Sequence, residues 1–291
     1  MNLAPALAGT LFGLASALAW SFANLAIQKA TRRFGPFPTL FTAQAIGGAL
    51  AVAVGLTVDG APARPTLEVL AILAVAGVAA ACAYSGLFES LERGAAGVVA
   101  PIISAWAAAT VLIEVFVFDR ALTGLSMLGI GCVVIGNAVL AHYESGGKHA
   151  TATPRAAIVW ALISALGFGV MVPATRRLEP WCGSILVVPA VWAAQWILVY
   201  PFARRRAGRT LFPASLSALY LAALPGVLEV IGFLALTIGM TQAPITILAP
   251  TSSLSTGLTV LFSLLILRER LRGPALFGAA LASSGVLLLN L

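Results

Sequence analysis

Charge is what this chain has least of. Only 9% of its 291 residues are Asp, Glu, Lys or Arg, where soluble domains carry about a quarter, and a surface that must meet water on every side cannot be built from so few. Histidine and cysteine are scarce too. His142 and His149 stand alone at a segment end and in its loop, and Cys82, Cys132 and Cys182 fall in or beside apolar stretches without metal-ligand spacing. No metal centre is expected, and the cysteines read as small buried hydrophobes. Catalytic signatures are missing as well. "GGKHA" at 146–150 lacks the upstream glycine spacing and the Ser or Thr of a phosphate loop, and there is no Gly-x-Ser-x-Gly. An ATP-driven pump or a membrane hydrolase has nothing to work with, so the chain reads as a non-enzyme that needs no cofactor.

Apolar residues fill the space that charge leaves, at 60% of the chain and a mean hydropathy of +1.01. A spanning helix takes about 20 mostly apolar residues. Ten such stretches are marked, at 5–28, 37–58, 68–91, 95–118, 123–142, 156–178, 181–203, 214–240, 243–267 and 274–290. The expected fold is an all-α polytopic membrane protein with ten transmembrane helices and no soluble domain left over. The first stretch has no basic leader and reads as a retained helix. A net charge of +7 would suggest nucleic acid in a soluble protein, but here the basic residues lie mostly at segment ends, as topology signals and contacts to anionic headgroups. Loops after odd-numbered segments hold 13 of the 17 Lys and Arg. Cytoplasmic loops collect such residues, so the charge count places both termini outside. Scarce Lys beside many Arg and abundant Ala suggests a bacterial source and hence the inner membrane.

A shift of 149 residues lays the chain over itself. "VVAPIISAWAAATVLIEVFVFDRALTGLSMLGIGCVVIGNAVL" then matches "ILAPTSSLSTGLTVLFSLLILRERLRGPALFGAALASSGVLLL": Ala100-Pro101 meets Ala249-Pro250, Gly129 meets Gly278 and Gly136 meets Gly285. "SALAWSF" (16–22) pairs with "SALGFGV" (164–170), and "TRRFGP" (31–36) resembles "TRRLEP" (175–180). The expected units are 1–147 and 148–291, each with five helices. An odd number forces the halves into opposite orientations, the inverted-repeat plan of secondary transporters, with a site near the midplane where the halves meet.

These paired halves, with "SALAW" in the first helix, Ala-Pro near the starts of the fourth and ninth, "LILRERL" closing the ninth and "GAALASSGVLLL" in the tenth, resemble the drug/metabolite transporter superfamily, EamA type. The resemblance covers the whole chain. It implies transport of small organic solutes such as amino acids, nucleosides or cationic drugs, often exported, and cytoplasmic termini, opposite to the charge count. Two departures stand out: "FVFDRAL" where the family often has Glu before Arg-Leu, and Gln44 where many members carry an arginine.

Several residues carry the functional expectation. Pro101 and Pro250 remove a helix hydrogen bond and kink the chain, freeing the carbonyls of Gly97 and Thr246. Such backbone is tolerated only inside protein or beside a wet cavity. The hydroxyls of Thr251, Ser252 and Ser253 either satisfy it or meet a solute, or serve only close helix packing. Glu229 lies near the middle of the eighth segment with no basic residue within a turn. An intramembrane carboxyl is costly and by default functional, here as the proton-coupling or cation-binding group, with a permanently neutral, hydrogen-bonded Glu as the plain alternative. Trp20, Asn24 and Gln28 form one polar-aromatic stripe, which Tyr84 and Trp106 extend. An interhelical hydrogen bond through Asn24 would look the same. Glu89 and Glu114 are assigned to structure through Arg93 and Arg120, Trp160, Trp181 and Trp196 to interfacial belts, and Gly9 with Gly13 and Gly278 with Ala282 to close helix approach.

The reading is therefore a secondary active transporter of a small organic metabolite or drug working by alternating access, with protons as a candidate coupling ion, lipid around it, and a monomer or homodimer as its state. An uncoupled facilitator and a non-transporting membrane scaffold are the alternatives.

Overall fold

The computed structural model describes residues 3–118, 124–144, 153–207, 211–243, 248, 251–271 and 273–289. The described residues form helices throughout, with no strand among them: α1 Leu3–Phe34, α2 Pro36–Val58, α3 Leu67–Arg93, α4 Ala96–Ile103, α5 Trp106–Phe118, α6 Gly124–Glu144, α7 Arg155–Cys182, α8 Val187–Ala207, α9 Leu216–Gln242, α10 Ser255–Leu265 and α11 Gly273–Leu289. Helix is the form in which a lipid-embedded backbone satisfies its own polar groups.

Among the described residues, seven spans are long and apolar enough to cross a membrane, the segment Ala96–Ile113 being one of them, while Thr251–Leu265 and Gly273–Leu289 are shorter apolar helices. Seven of the ten marked stretches are thus full-length spans among the described residues. The ninth stretch is broken, and α8 ends in Arg204, Arg205 and Arg206. One correction concerns the sixth and seventh stretches. α7 runs on through Pro180 to Cys182, so α8 starts at Val187 rather than 181.

Outer faces are apolar. Val159, Leu162, Leu166 and Val170 recur every three or four residues along α7 and are all exposed, which suits hydrocarbon rather than water. Cys82 lies on such a face. It is exposed, and Cys132 is half-buried, so of the three cysteines expected to be buried only Cys182 is.

Inside, small residues bring the helices together. The principal packings are α3 on α7 and α1 on α9, α2 on α9 and α3 on α8, α5 on α7 and α1 on α10, α6 on α11, α4 on α10, and α2 on α8. Gly129 lies on Gly285 and Gly136 on Gly278, where a side chain would meet the opposite backbone. The register runs in opposite senses, so α6 and α11 are antiparallel. Gly278 and Ala282 thus do what their spacing suggested, since both pack on α6 at Gly136, as small residues do when helix backbones approach. Gly226 sits on the backbone of Ala43 and Gly77 on Ala194.

The turns repeat as well. Gly35 and Gly183, 148 residues apart, have φ of 86° and 84°, the left-handed region that glycine enters without steric cost, and each N–H closes the preceding helix on the carbonyl of Thr31 or Glu179. The structural partner of Gly35 is therefore Gly183, four residues beyond where the "TRR" match placed it. α4 stops at Ile103, and a turn at Ser104 and Ala105 precedes α5. The same kind of break occurs at Leu254, 149 residues after Ala105. The break falls three residues beyond Pro101, where the Ser104 hydroxyl donates to the Pro101 carbonyl at 2.6 Å. Pro250 lies outside the described residues, as does the 147/148 boundary.

Candidate functional site

Glu229 sits in the middle of α9, buried at 9% exposure. Gly226, one turn before it, lets α9 touch α2, and Gly232, about one turn after it, presses on the indole of Trp20. These close approaches seal the carboxyl into the interior. Among the described residues, none hydrogen-bonds or ion-pairs with it.

Aromatic rings gather round this point. Trp20 packs edge-on against Phe233, with centroids 5.5 Å apart. Tyr84 of α3, 2% exposed, meets Phe168 of α7 edge-on at 5.1 Å and Trp192 of α8 at 5.8 Å. Trp20 thus packs on α9 within a turn of Glu229, whereas Tyr84 packs between α7 and α8. Trp106 is half-buried at the start of α5, with its backbone against Gly169 of α7.

The rest of the stripe on α1 turns elsewhere. Asn24 donates to the Thr259 hydroxyl of α10 at 3.3 Å, and Ser21 donates to the Ser255 carbonyl at 2.9 Å. Gln28 is fully buried near one end of the bundle, where its amide donates to the Gly94 carbonyl at 2.8 Å and to Glu269 at 2.9 Å. Thr251 packs on Gly13 of α1 and donates to the Leu248 carbonyl at 3.0 Å. Ser252 is buried and Ser253 half-buried.

Sequence reading missed three features. Glu269, which the sequence did not single out, accepts from the backbone N–H of Ala96 at 3.1 Å and Gly97 at 3.0 Å and so caps α4. Asp59 does the same ahead of α8, accepting from Ile185 at 2.8 Å and Leu186 at 2.9 Å. A carboxylate at a helix N-terminus satisfies orphan donors and the helix dipole together. Each cap joins one half of the chain to the other. The third feature is a polar node between α2 and α8. The Trp196 indole donates to Gln44 Oε1 at 2.7 Å, and Gln44 Nε2 donates to Gln195 Oε1 at 3.2 Å. Trp196 thus lies inside the bundle rather than in an interfacial belt, whereas Trp181 does end its helix, donating to the Ala63 carbonyl at 2.7 Å. A carboxamide alone in "VWAAQWILVY" was the available signal.

Glu89 has the structural role expected of it. Its fully buried carboxyl pairs with Arg93 and lies 2.7 Å from Arg206 Nη1 of α8, an ion pair outside hydrogen-bond angles, with Nη2 donating at 3.4 Å. The Glu114 side chain lies outside the description. A cavity of about 420 Å³ lies away from Glu229, between α6 and α7 near His142 and Arg155. Its openness to the surface and its distance from the buried carboxyl make it no part of the site.

A model of the EamA-like transporter family matches residues 7–141 and again 155–291. No curated protein matches. A solved structure titled only as the crystal structure of a protein superposes with a TM-score of 0.64 over 96% of this chain and 95% of that one, at 19% identity, a likeness of fold alone.

Proposed function

Because the chain belongs to the EamA-like transporter family of the drug/metabolite transporter superfamily, we propose that it is a secondary active transporter that moves a small organic solute across the bacterial inner membrane by alternating access. The reading takes the chain as ten crossings in two inverted halves, and the packing of the helices supports it. Exchanging α1, α2, α3, α4 with α5, and α6 for α7, α8, α9, α10 and α11 turns the principal packings into one another. The Gly129–Gly285 contact becomes Gly278–Gly136 under the same exchange. The odd-numbered loops also meet at one end, through Gln28, Gly94 and Glu269, and the second and sixth at the other, through Asp59 and Ile185. That is what crossing at every segment requires.

One observation carries the coupling proposal: Glu229 is an interior carboxyl without a partner among the described residues. Burying its ionised form in hydrocarbon is costly unless a proton, a cation or water meets it. Binding of a proton or a cationic solute supplies that partner in one state, and opening to water supplies it in the other. Trp20, Tyr84 and Trp106 shape the pathway, and Asn24, with the hydroxyls of Thr251, Ser252 and Ser253, orients the solute. Export is the proposed direction.

The test uses purified protein in proteoliposomes with a trapped pH dye, challenged with pooled amino acids and organic cations. Wild type is expected to show a solute-dependent change in interior pH that Glu229→Gln lacks. Solute entry without any pH change would remove the coupling role, and no entry at all would remove the transport reading.

A further inference from the structure

One half of the chain gives way to the other between α6 and α7, and the packing is open there. Among the described residues α6 packs on α11, and α7 on α3 and α5, while α6 and α7 scarcely touch each other. The gap is a cleft of about 420 Å³, lined by Ala138, Ala141 and His142 of α6 and by Arg155, Ile158 and Val159 of α7. That is within the range of ligand-sized clefts, about 300–1,000 Å³.

The chemistry of the cleft changes along its length. His142 lies in the last turn of α6 and Arg155 in the first turn of α7, both exposed, so the two stand together at one end of it. Among the described residues Arg155 has no hydrogen bond or ion pair, and a cation in the first turn of a helix opposes the helix dipole. Topology calls for positive charge at this end of the bundle, but not for a charge laid over a cleft. Further in, the walls are apolar. They are continued by Val134 and Ile135 on α6 and by Leu162 and Leu166 on α7, all exposed. From Arg155 to Leu166 a helix rises about 16 Å, which matches one leaflet's share of a hydrocarbon core about 30 Å thick.

A basic mouth over an apolar track of that depth has the polarity of a phospholipid, a charged headgroup joined to an acyl chain. A soluble anion would use the mouth and leave the apolar walls without a partner. The cleft also opens at the end of the odd-numbered loops, which hold 13 of the 17 Lys and Arg, and basic pockets between transmembrane helices on such a side hold anionic headgroups.

We propose that the α6–α7 cleft is a binding site for an anionic phospholipid, whose phosphate diester accepts from the Arg155 guanidinium and the His142 imidazole and whose acyl chain lies along Ala138, Ala141, Ile158 and Val159. Arginine suits the role because its fork of N–H donors matches phosphate oxygens, and an imidazole N–H donates whether the ring is neutral or charged. Seated there, the lipid bridges the two halves where protein contact is missing.

The experiment is native mass spectrometry of the purified protein released from micelles holding equal amounts of phosphatidylglycerol and phosphatidylcholine with the same acyl chains. It compares wild type with Arg155→Gln, Arg155→Lys, Ala138→Trp and Arg205→Gln, all at exposed positions. Arg205 is a cation at the end of α8, so its loss changes the net charge without touching the cleft. Wild type is expected to hold one phosphatidylglycerol with a preference of about fivefold, the effect of one basic residue at an anionic surface. Arg205→Gln and Arg155→Lys should keep that preference and Arg155→Gln should lose it. Ala138→Trp, which fills the cleft and leaves Arg155 in place, should lose the bound lipid itself. No preference in wild type, equal loss in Arg155→Gln and Arg205→Gln, or a lipid retained by Ala138→Trp would each overturn the site. Displacement of the lipid by an equal concentration of glycerol phosphate would overturn it too, since the cleft would then take a free anion and not a lipid.

Discussion

At the residue scale the interior polar groups divide into those whose bonds are complete and those left open. Glu269 belongs to the first kind, since two backbone donors and Gln28 converge on it. Glu269→Ala should lower stability by about 1–3 kcal/mol, the cost of stranding buried donors. Glu269→Gln should cost less, because a carboxamide oxygen still accepts. Apparent melting temperatures in detergent would show that order, and equal melting of the two variants would contradict the cap. Glu229 is of the second kind, so Glu229→Gln should leave the melting temperature within a degree or two, the effect of at most a few tenths of a kcal/mol, while abolishing the pH response. The difference was hidden in the sequence. Glu229 stood out there because no basic residue is near it in the chain, whereas Glu269 looked like any loop carboxylate until folding laid it over the start of α4, more than 170 residues earlier.

Between elements, glycine decides how closely the halves meet and how the chain turns between them. Gly35 and Gly183 share a left-handed backbone, but only Gly183 is also pressed against the Asp59 carboxyl, while the nearest atom to a Cβ on Gly35 would be 3.8 Å away. Gly35→Ala should therefore cost about 1 kcal/mol from conformation. Gly183→Ala should cost more, because it also pushes Asp59 off the N–H groups ahead of α8. The comparison needs only the two melting curves, and a larger loss at Gly35 would contradict this account. Gly226→Val should be harsher still. It would drive α9 from the backbone of α2, giving an aggregated or polydisperse elution profile. The helices themselves were legible from hydropathy. The ends of α7 and α8 were not, because Pro180 is accommodated in the last turn before Gly183 and hydropathy does not mark where that turn ends.

For the whole molecule, the clustering of odd loops makes a prediction about topology. In a background with Cys82, Cys132 and Cys182 replaced by alanine, single cysteines at Arg33, Arg205 and Arg270 should react with an impermeant maleimide from one side, and one at Ala61 from the other. Mixed labelling of the first three would break the ten-crossing plan. The labelled side decides between the charge count, which places the termini outside, and the family resemblance, which places them inside. Hydropathy, the 149-residue repeat and the basic loops determined the membrane setting and the two-half plan, because these properties are periodic along the chain and need no knowledge of contacts. The sequence also singled out Glu229, whose isolation in an apolar run is itself a local fact. Tertiary structure alone decided that Gln28 turns to Glu269, that Tyr84 meets Trp192 and that Gln195 keeps a donor without a partner among the described residues. A hydrogen bond between residues 150 or more positions apart leaves no local pattern, and the direction of a carboxamide is set only by the partners that folding brings to it.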